Sequence, residues 1–507
     1  MKSLSSRLNL DRAALSRRRF AAAAAGLAGA GLASQSALAR FFQDASQMTG
    51  VDPEVWNPET IQALAGTIEV DTAAEVHAVV PATASGDLQY WNVGPTQASP
   101  AITVQIYDEF QAAFQEYYPE IALENQNIGY NDLLDTLRTA AAGGAAPDVA
   151  KLPILWGVEF AARGQLQEIV LEDFGLNRDL FWEGALKSVT WDGKMYGIPT
   201  NNETMAFIWN RAIFAEAGLD PEVGPATWAD VVEYSRAIKE ATGNSGFGLV
   251  ARVNAGNTPF RVMPMLWAYG SGALDEAEAN PTYETSMINN EGGIAALQAM
   301  YDMYVTDQSV PTSALTNTQV ENQDLFITGQ IAMMISHPSE YVAMQDRAAA
   351  ATGADKELAD EIVANMAYGL IPEGPVRRAV VFGGSNIHIM SDEAHGGEVN
   401  MDAARAMLTT ATSPEWAVKN NWADSNPGNL RGFETEWMAE RLDAINFLEV
   451  TTAMLPFGIP FPVVPEATEI MNIIVPEMVQ NALTESMSVQ EAADNAANEI
   501  NALSASW

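Results

Sequence analysis

The chain has 507 residues, 65 acidic against 26 basic side chains, a formal net charge of −39 and no cysteine. The absence of cysteine excludes disulfides, thiol nucleophiles, iron–sulfur clusters and an acylated-cysteine anchor, and the negative charge repels nucleic acid and anionic membranes. None of the four histidines has an i,i+4 partner, so a histidine-rich metal site is not indicated. We therefore expect no metal, no cofactor and no nucleic-acid partner.

The first 39 residues have the pattern of an export signal. Their net charge is +5, and the basic part ends in Ser-Arg-Arg-Arg-Phe at 16–20, which resembles a twin-arginine (Tat) signal. The apolar stretch 21–33 is shorter than the roughly 20 residues of a membrane span, and Ala-Leu-Ala at 37–39 fits a cleavage site. We expect cleavage near Ala39, a change in net charge from −39 to −44, and a periplasmic product exported by the Tat translocase. An uncleaved anchor is the alternative.

Residues 40–86 show only a weak pattern and are interpreted as an N-terminal extension that packs on, or precedes, the main fold. Strands and helices alternate after residue 86. Hydrophobic periodicity predicts strands over 87–93, 121–128 and 147–150, and helices over 102–117 and 133–142. This alternation predicts βαβ units and a parallel sheet, with a ligand site beyond the carboxyl ends of its strands.

Later helices have recognisable N-terminal caps. Thr227 is followed by Asp230 in a pattern like a capping box, and Ser488 with Glu491 begins a terminal helix. Ser413 precedes a proline in the first helical turn, a position that proline favours. The segment 456–465 is rich in glycine and proline and is predicted to be an irregular loop.

Several motifs, in their order along the chain, resemble the family 1 extracellular solute-binding proteins of ABC importers, the group that includes maltodextrin-binding protein. The resemblance extends over residues 87–503 and is carried by Tyr-Trp-Asn-Val-Gly at 90–94, Pro-Asp-Val at 147–149, Asp-Gly-Lys-Met-Tyr-Gly-Ile-Pro at 192–199, Phe-Ile-Thr-Gly-Gln-Ile-Ala-Met-Met at 326–334 and Gly-Gly-Ser-Asn at 383–386.

The resemblance implies an α/β, two-lobed periplasmic binding protein fold (type II-like), in which each lobe is a mostly parallel sheet flanked by helices. Lobe 1 is expected to comprise 87–200 plus 384–435, and lobe 2 to comprise 201–383 plus 436–507. The chain is then expected to cross between the lobes near 199–203, near 382–385 and near 430–445. Family members bind their ligand in the cleft, and the lobes close on it.

Candidate ligand contacts come from segments expected to face this cleft. Aromatic rings stack on the apolar faces of sugars, while amides and carboxylates bind hydroxyl groups. Glu203 matches a sugar-contacting glutamate of the maltodextrin binder, whereas Leu-Pro-Ile-Leu at 152–155 replaces charged residues of the family. The candidates are Trp91, Asn92, Tyr130, Trp156, Asn202, Glu203, Arg261, Trp267, His337, Glu340, Gly384, Ser385 and Asn386.

Structural roles are the alternatives for some of these residues. Trp91 is the kind of strand tryptophan that packs in a core. Glu203 is also placed to form a hinge salt bridge with Arg211 or Arg261, and His337 to face solvent from a loop.

The resemblance implies the periplasmic substrate-binding component of an ABC importer, which binds a carbohydrate and has no catalytic residues. Its expected partners are the ABC permease subunits of the inner membrane, and we expect a monomer. The alternatives are a binder of a polyol or a glycerol phosphate, a sensory role, or a secreted carbohydrate-active enzyme. The sequence has neither a Gly-x-Ser-x-Gly nucleophile elbow nor a Gly-x-x-x-x-Gly-Lys phosphate loop.

Overall fold

A computed structural model describes residues 48–95, 99–254, 257–278 and 281–505. The export signal predicted over 1–39 and its cleavage site lie outside the described residues. Within those ranges, no helix has the length and apolar character needed to cross a membrane.

The strands are numbered in chain order. They are β1 Gly86–Val93, β2 Ile121–Ile128, β3 Val149–Pro153, β4 Thr190–Trp191, β5 Lys194–Met195, β6 Ile198–Glu203, β7 Ala206–Asn210, β8 Ser245–Phe247, β9 Ile331–Ser336, β10 Met366–Gly369, β11 Val380–Val381, β12 Gly383–Ile389, β13 Asn426–Pro427 and β14 Gly458–Ile459.

The α-helices are α1 Pro58–Leu64, α2 Thr72–Val79, α3 Ala101–Tyr117, α4 Tyr130–Ala142, α5 Gly157–Ala162, α6 Glu183–Ser188, α7 Arg211–Glu216, α8 Trp228–Thr242, α9 Pro259–Ala268, α10 Glu291–Tyr301, α11 Gln319–Ile327, α12 Pro338–Ala350, α13 Gly353–Ala364, α14 Asp392–His395, α15 Met401–Ala411, α16 Pro414–Lys419, α17 Glu436–Ala444, α18 Phe447–Met454, α19 Ala467–Glu469, α20 Val475–Leu483 and α21 Val489–Ser504. Short 3₁₀ turns cover Leu171–Phe174, Arg178–Leu180, Thr312–Leu315, Leu430–Glu434 and Leu455–Phe457, and π turns cover Asp302–Thr306 and Ile470–Ile474.

The sheet of lobe 1 has six strands in the order β13-β6-β12-β3-β1-β2. β1 is parallel to β2 and β3, as the strand–helix alternation predicts. β12 is antiparallel to both β3 and β6, and β13 is antiparallel to β6. The expectation of a mostly parallel sheet is therefore wrong, and the sheet is mixed. The reason is that β12 enters from the other lobe, so it starts at the edge where β1, β3 and β6 end.

The sheet of lobe 2 has four strands in the order β10-β7-β9-β8 and is mixed as well. β7 is antiparallel to β9 and β10, and only β8 is parallel to its neighbour β9. Every residue of β7 and β9 is buried. Strands covered on both faces have nearly continuous apolar sequences, as both of these do.

Three stretches of chain connect the lobes. β6 continues into β7 through the residues after Glu203, and β11 continues into β12 through Phe382. Helices α17 and α18 occupy and follow the stretch where the third crossing is expected. After them, β14 pairs in parallel with β11, with Val380 opposite Gly458. β14, which follows the third connection, therefore lies beside β11, where the second connection begins.

The extension packs on lobe 1. Asn57 caps α1 ahead of Pro58, and Asp71 caps α2 by accepting a hydrogen bond from Ala74 N. Val76 of α2 is buried in one cluster with Phe110 and Phe114 of α3 and with other side chains of the lobe 1 core.

The predicted caps form. Thr227 and Ser488 both make complete capping boxes, and Ser413 accepts a hydrogen bond from Trp416 N. The loop predicted over 456–465 contains the end of a 3₁₀ turn and the short strand β14.

Candidate functional site: the cleft between the lobes

A cavity of about 360 Å³ lies between the lobes, at the carboxyl ends of β1, β3 and β6. Small-molecule sites range from about 300 to 1,000 Å³. Lobe 1 supplies Asn92, Tyr107, Tyr130, Lys151, Ser385, Trp422 and Asp424, lobe 2 supplies Phe260, Gln323, His337, Ser339 and Glu340, and the crossing supplies Glu203 and Gly384. Seven of the sequence candidates line this cavity: Asn92, Tyr130, Glu203, His337, Glu340, Gly384 and Ser385.

Strand alternation determines which of two adjacent candidates faces the cavity. Successive side chains of a strand point to opposite faces, so Asn92 lines the cavity while Trp91 packs against the core on the other face. Likewise Ser385 lines the cavity, and the Asn386 amide donates a hydrogen bond to Ser188 Oγ at 3.0 Å. The Asn202 amide is buried and donates to the Pro427 carbonyl at 3.0 Å.

The predicted tryptophans of the cleft do not line the first cavity. Trp156 is buried, and its ring packs against that of Tyr130 with a centroid distance of 5.2 Å. Trp267 is fully buried inside lobe 2, where its Nε1 donates to Glu276 Oε1 at 2.9 Å. Trp267 lines neither cavity described here.

His337 lies between two carboxylates. It is the N-cap of α12 and is 5% exposed. Its Nδ1 is 3.2 Å from Asp424 Oδ1, and its Nε2 is 3.5 Å from Glu203 Oε2. Burial lowers the pKa of His337, but Glu203, Asp424 and Glu340 outweigh that effect and raise it to about 9. The imidazole is therefore protonated at neutral pH, and the solvent-facing alternative for His337 is wrong.

Behind this group lies a buried ion pair between Arg261 and Glu340. Glu340 also accepts a hydrogen bond from His337 N at 3.2 Å, at the N-terminus of α12. Arg211 pairs instead with Glu222 at 3.1 Å. The alternative of a hinge salt bridge from Glu203 to Arg211 or Arg261 is therefore wrong, because the ionic partner of Glu203 is His337.

The charges around the cavity largely compensate one another. Arg261 is matched by Glu340, and Lys419 is matched by Glu415. Lys151 projects into the cavity from β3; burial lowers its pKa, and Asp424 opposes that shift. With His337 protonated, the cationic Lys151 and His337 balance the anionic Glu203 and Asp424. The cavity is thus polar and close to neutral, although the whole chain is strongly acidic.

Glu203, His337 and Asp424 also offer donor atoms within 4.8 Å of one another, a set that could hold a metal ion. A metal needs the neutral imidazole. Because the two carboxylates raise the pKa of His337 to about 9, a proton competes with any metal there.

A second cavity of about 230 Å³ adjoins the first on the far side of Tyr130. Trp156 of lobe 1 and Thr468 and Asn472 of lobe 2 line it, all three more than nine-tenths buried. Trp156 Nε1, Thr468 Oγ1 and Asn472 Oδ1 make no hydrogen bond among the described residues. Asn472 lies in a π turn, a feature frequent at functional sites.

Sequence reasoning missed Lys151, Asp424, Thr468 and Asn472 as cavity residues. Lys151 had a signal, since it is one of only seven lysines and follows a predicted strand. Asp424 and Asn472 had none, because their positions depend on contacts between distant parts of the chain.

The fold and the cleft define a two-lobed periplasmic binding protein. The sequence model for the bacterial extracellular solute-binding proteins matches residues 97–418, and the chain belongs to this family. Proteins of this family bind small ligands and work with ABC permeases.

Individual relatives are distant. A binding protein of Brucella abortus (strain 2308) is 25% identical over 380 residues, which cover 74% of this chain and 84% of that protein. The galactooligosaccharide-binding protein of Bacillus subtilis (strain 168) is 25% identical over 231 residues, 45% of this chain and 51% of that protein.

Two solved structures share the fold. An ABC transporter solute-binding protein from Thermotoga lettingae TMO, bound with alpha-D-tagatose, has a TM-score of 0.68 and 20% identity, covering 83% of this chain and all of that one. UgpB from Mycobacterium tuberculosis in complex with glycerophosphocholine has a TM-score of 0.65 and 18% identity, covering 82% of this chain and 98% of that one.

Proposed function

We propose that this protein is the periplasmic substrate-binding component of an ABC importer and that its ligand is a neutral carbohydrate. The observation that carries this proposal is the charge balance of the cavity between the lobes. Carboxylates accept hydrogen bonds from hydroxyl groups, and Lys151 and the Asn92 amide donate them. A ligand with many hydroxyl groups and no net charge satisfies both kinds of partner.

The aromatic side chains that line the cavity support a sugar as the ligand. Tyr130, Phe260 and Trp422 line the cavity and offer faces on which the C–H side of a pyranose or furanose can stack. A relative named for galactooligosaccharides and a structural neighbour bound to tagatose agree with this ligand class.

We assign the direct contacts to Asn92, Tyr130, Glu203, His337, Glu340, Gly384 and Ser385. Trp156, with Asn472, extends the site into the second cavity and would take a further sugar unit of a longer ligand. Trp91, Asn202, Arg261, Trp267 and Asn386 support the walls from behind.

Closure of the lobes is the proposed mechanism. Contacts between the lobes among the described residues include His337 with Asp424, and Ala101 N with Asp346 Oδ2 at 2.9 Å. We propose that a ligand held by one lobe brings these groups together and that the permease subunits in the inner membrane recognise the closed form. The proposed lobes are 87–200 with 384–435 and 201–383 with 436–507.

The proposal includes export. A Tat signal over 1–39, cleaved near Ala39, would deliver a folded, cofactor-free monomer to the periplasm. This part rests on the motif at 16–20 and on the extracellular character of the family.

A glycerol phosphate is a second candidate ligand because of Lys151. No ion pair to this ammonium is formed among the described residues, so a phosphate could take that position. The neighbour bound to glycerophosphocholine is consistent with this candidate.

The test is a thermal-shift panel on the mature chain, with neutral mono- and oligosaccharides, polyols, glycerol 3-phosphate and glycerophosphocholine in separate arms. A ligand that binds only the folded state raises the melting temperature. The proposal expects a response to a neutral saccharide that is lost in Glu203→Gln. A response confined to the phosphate arms and lost in Lys151→Met would favour the second candidate.

A further inference from the structure

The N-terminal extension, residues 40–86, of which 48–86 are described, lies before the region that matches the family, which begins at residue 97. It is nevertheless an integral part of the fold, because it contributes buried side chains to three hydrophobic clusters. Two of these clusters matter here: one lies inside lobe 1 and contains Val76, and the other lies at the crossings between the lobes and contains Val51 and Ile61.

The second half of the extension is fixed to lobe 1. Helix α2 packs on α15. The Tyr118 hydroxyl donates to the carbonyls of Val76 and Val80 at 3.2 Å each, and Glu75 forms a two-pronged ion pair with Arg431 at 2.9 and 3.0 Å. This half therefore moves with lobe 1.

The first half of the extension reaches the crossings. Val51 and Ile61 are buried in one cluster with Phe382 of the second crossing and Leu455 of the third. Trp56 packs edge-on against Trp182, with ring centroids 5.5 Å apart. Helix α1 also contacts α18, which itself packs on β7, β10 and α12 of lobe 2.

Phe382 lies where the extension, the second crossing and lobe 1 meet. Its backbone N–H donates to the Ile459 carbonyl at 2.9 Å, which ties the second crossing to β14. A side chain at Gly184 would meet both the backbone of Thr49 and the ring of Phe382. Thr49 of the extension and Phe382 of the second crossing therefore both lie against Gly184 of lobe 1.

We propose that the extension is a brace that sets the equilibrium between open and closed lobes and favours the arrangement in which His337 and Asp424 meet across the cleft. Its second half is held on lobe 1, whereas its first half packs both on Trp182 and Phe433 of lobe 1 and on Phe382 and Leu455 at the crossings. Opening would separate Val51 and Ile61 from Phe382, Leu455 and α18. The proposal rests on the proposed function, since it concerns closure around a ligand, and a device that favours the closed form raises ligand affinity.

The test compares two truncations of similar size in the extension. Ile61→Ala removes a contact at the crossings, and Val76→Ala removes a buried contact made only within lobe 1. The chain has no cysteine, so Gln105→Cys in lobe 1 and Gln345→Cys in lobe 2 allow a single pair of spin labels, whose separation reports closure with or without ligand. Trp56→Ala, at a half-buried position, is the second variant in case Ile61→Ala does not fold.

The proposal expects Ile61→Ala and Trp56→Ala to shift the label distances of the ligand-free protein towards a longer separation and to weaken binding of the saccharide found in the panel roughly tenfold. Val76→Ala should leave both unchanged. The brace is overturned if folded Ile61→Ala and Trp56→Ala both keep the wild-type distances. Because the distances are measured without ligand, the outcome stands even if no saccharide binds and the proposed function fails.

Discussion

The imidazole of His337 faces the carboxylate of Asp424 across the cleft, with Nδ1 3.2 Å from Oδ1. His337 begins a helix of lobe 2, and Asp424 belongs to a loop of lobe 1. Under the proposed closure we expect the pair to form only when the lobes approach each other, which would link the charge on the imidazole to closure.

This linkage predicts that ligand affinity depends on pH. Burial lowers the pKa of His337, but the surrounding carboxylates raise it from 6.5 to about 9 in this arrangement. Separation from Asp424 in an open form removes one of the three carboxylates that raise this pKa, so the open form has the lower pKa. Protonation of His337 therefore favours the closed form, and this contribution is lost as the pH rises through about 9.

Calorimetric titrations between pH 6 and 10 should thus show affinity declining as the pH rises towards 9, by at most tenfold per pH unit. His337→Gln should bind more weakly with a flatter profile, and His395→Gln, at the periphery, should keep the wild-type profile. An unchanged decline in His337→Gln would rule out this residue as its source.

The second cavity predicts a dependence on ligand length. Asn472 Oδ1 is buried and has no hydrogen-bond partner within the part of the chain that the structure describes, so a second sugar unit would give it one. Asn472→Ala should weaken an oligosaccharide about tenfold, the value of one hydrogen bond of roughly 1.4 kcal/mol, and should leave a monosaccharide unaffected. Asn495→Ala, on α21 and away from both cavities, is the control. Equal losses for short and long ligands would contradict this assignment.

Because His388 is buried, we predict that the folded protein loses stability in acid. Its ring is buried, Nδ1 donates to the Tyr196 carbonyl at 2.7 Å, and burial lowers its pKa from 6.5 to about 4. The unfolded chain takes up a proton at 6.5 that the folded chain resists, so this contribution is lost as the pH falls from 6.5 towards 4.

Urea denaturation between pH 4.5 and 7 should show the free energy of unfolding falling by up to about 1.4 kcal/mol per pH unit from this group. His388→Gln should reduce the slope. An identical slope in wild type and His388→Gln would show that His388 does not contribute to the pH dependence of the free energy of unfolding.

We predict that a side chain at Gly384, at the crossing between the lobes, is sterically unfavourable. Its φ is +134°, and a Cβ there would collide with the Asn201 carbonyl oxygen. Gly384→Ala should therefore cost more than about 3 kcal/mol of unfolding free energy. Gly218 has φ +75° and open space around it, so Gly218→Ala should cost only about 1–2 kcal/mol. Equal costs, measured by urea denaturation, would contradict the close contact.

Local patterns in the sequence predict much of this fold. The first three strands, the helices between them and the caps at Thr227 and Ser488 depend on neighbouring residues alone, and all of them form. The direction of β12 could not be predicted, because it depends on where a chain returning from lobe 2 enters the sheet of lobe 1.

The cavity was predictable only in part for a similar reason. The ends of strands placed Asn92, Glu203 and Ser385 in the right region. The choice between Trp91 and Asn92 needed the pairing of β1 with β3, and the interior position of Trp267 needed the partner Glu276. Asp424 reaches the cavity through packing between lobes, which no local pattern encodes.

The proposed binding of a neutral carbohydrate between the lobes at Glu203 is best tested by calorimetric titration of the mature chain with the saccharide that gives the largest thermal shift. We expect saturable binding of one molecule per chain, weakened at least tenfold by Glu203→Gln, which removes a charge from a hydrogen-bonding site. Failure of every neutral saccharide to bind, or equal binding by wild type and Glu203→Gln, would contradict it.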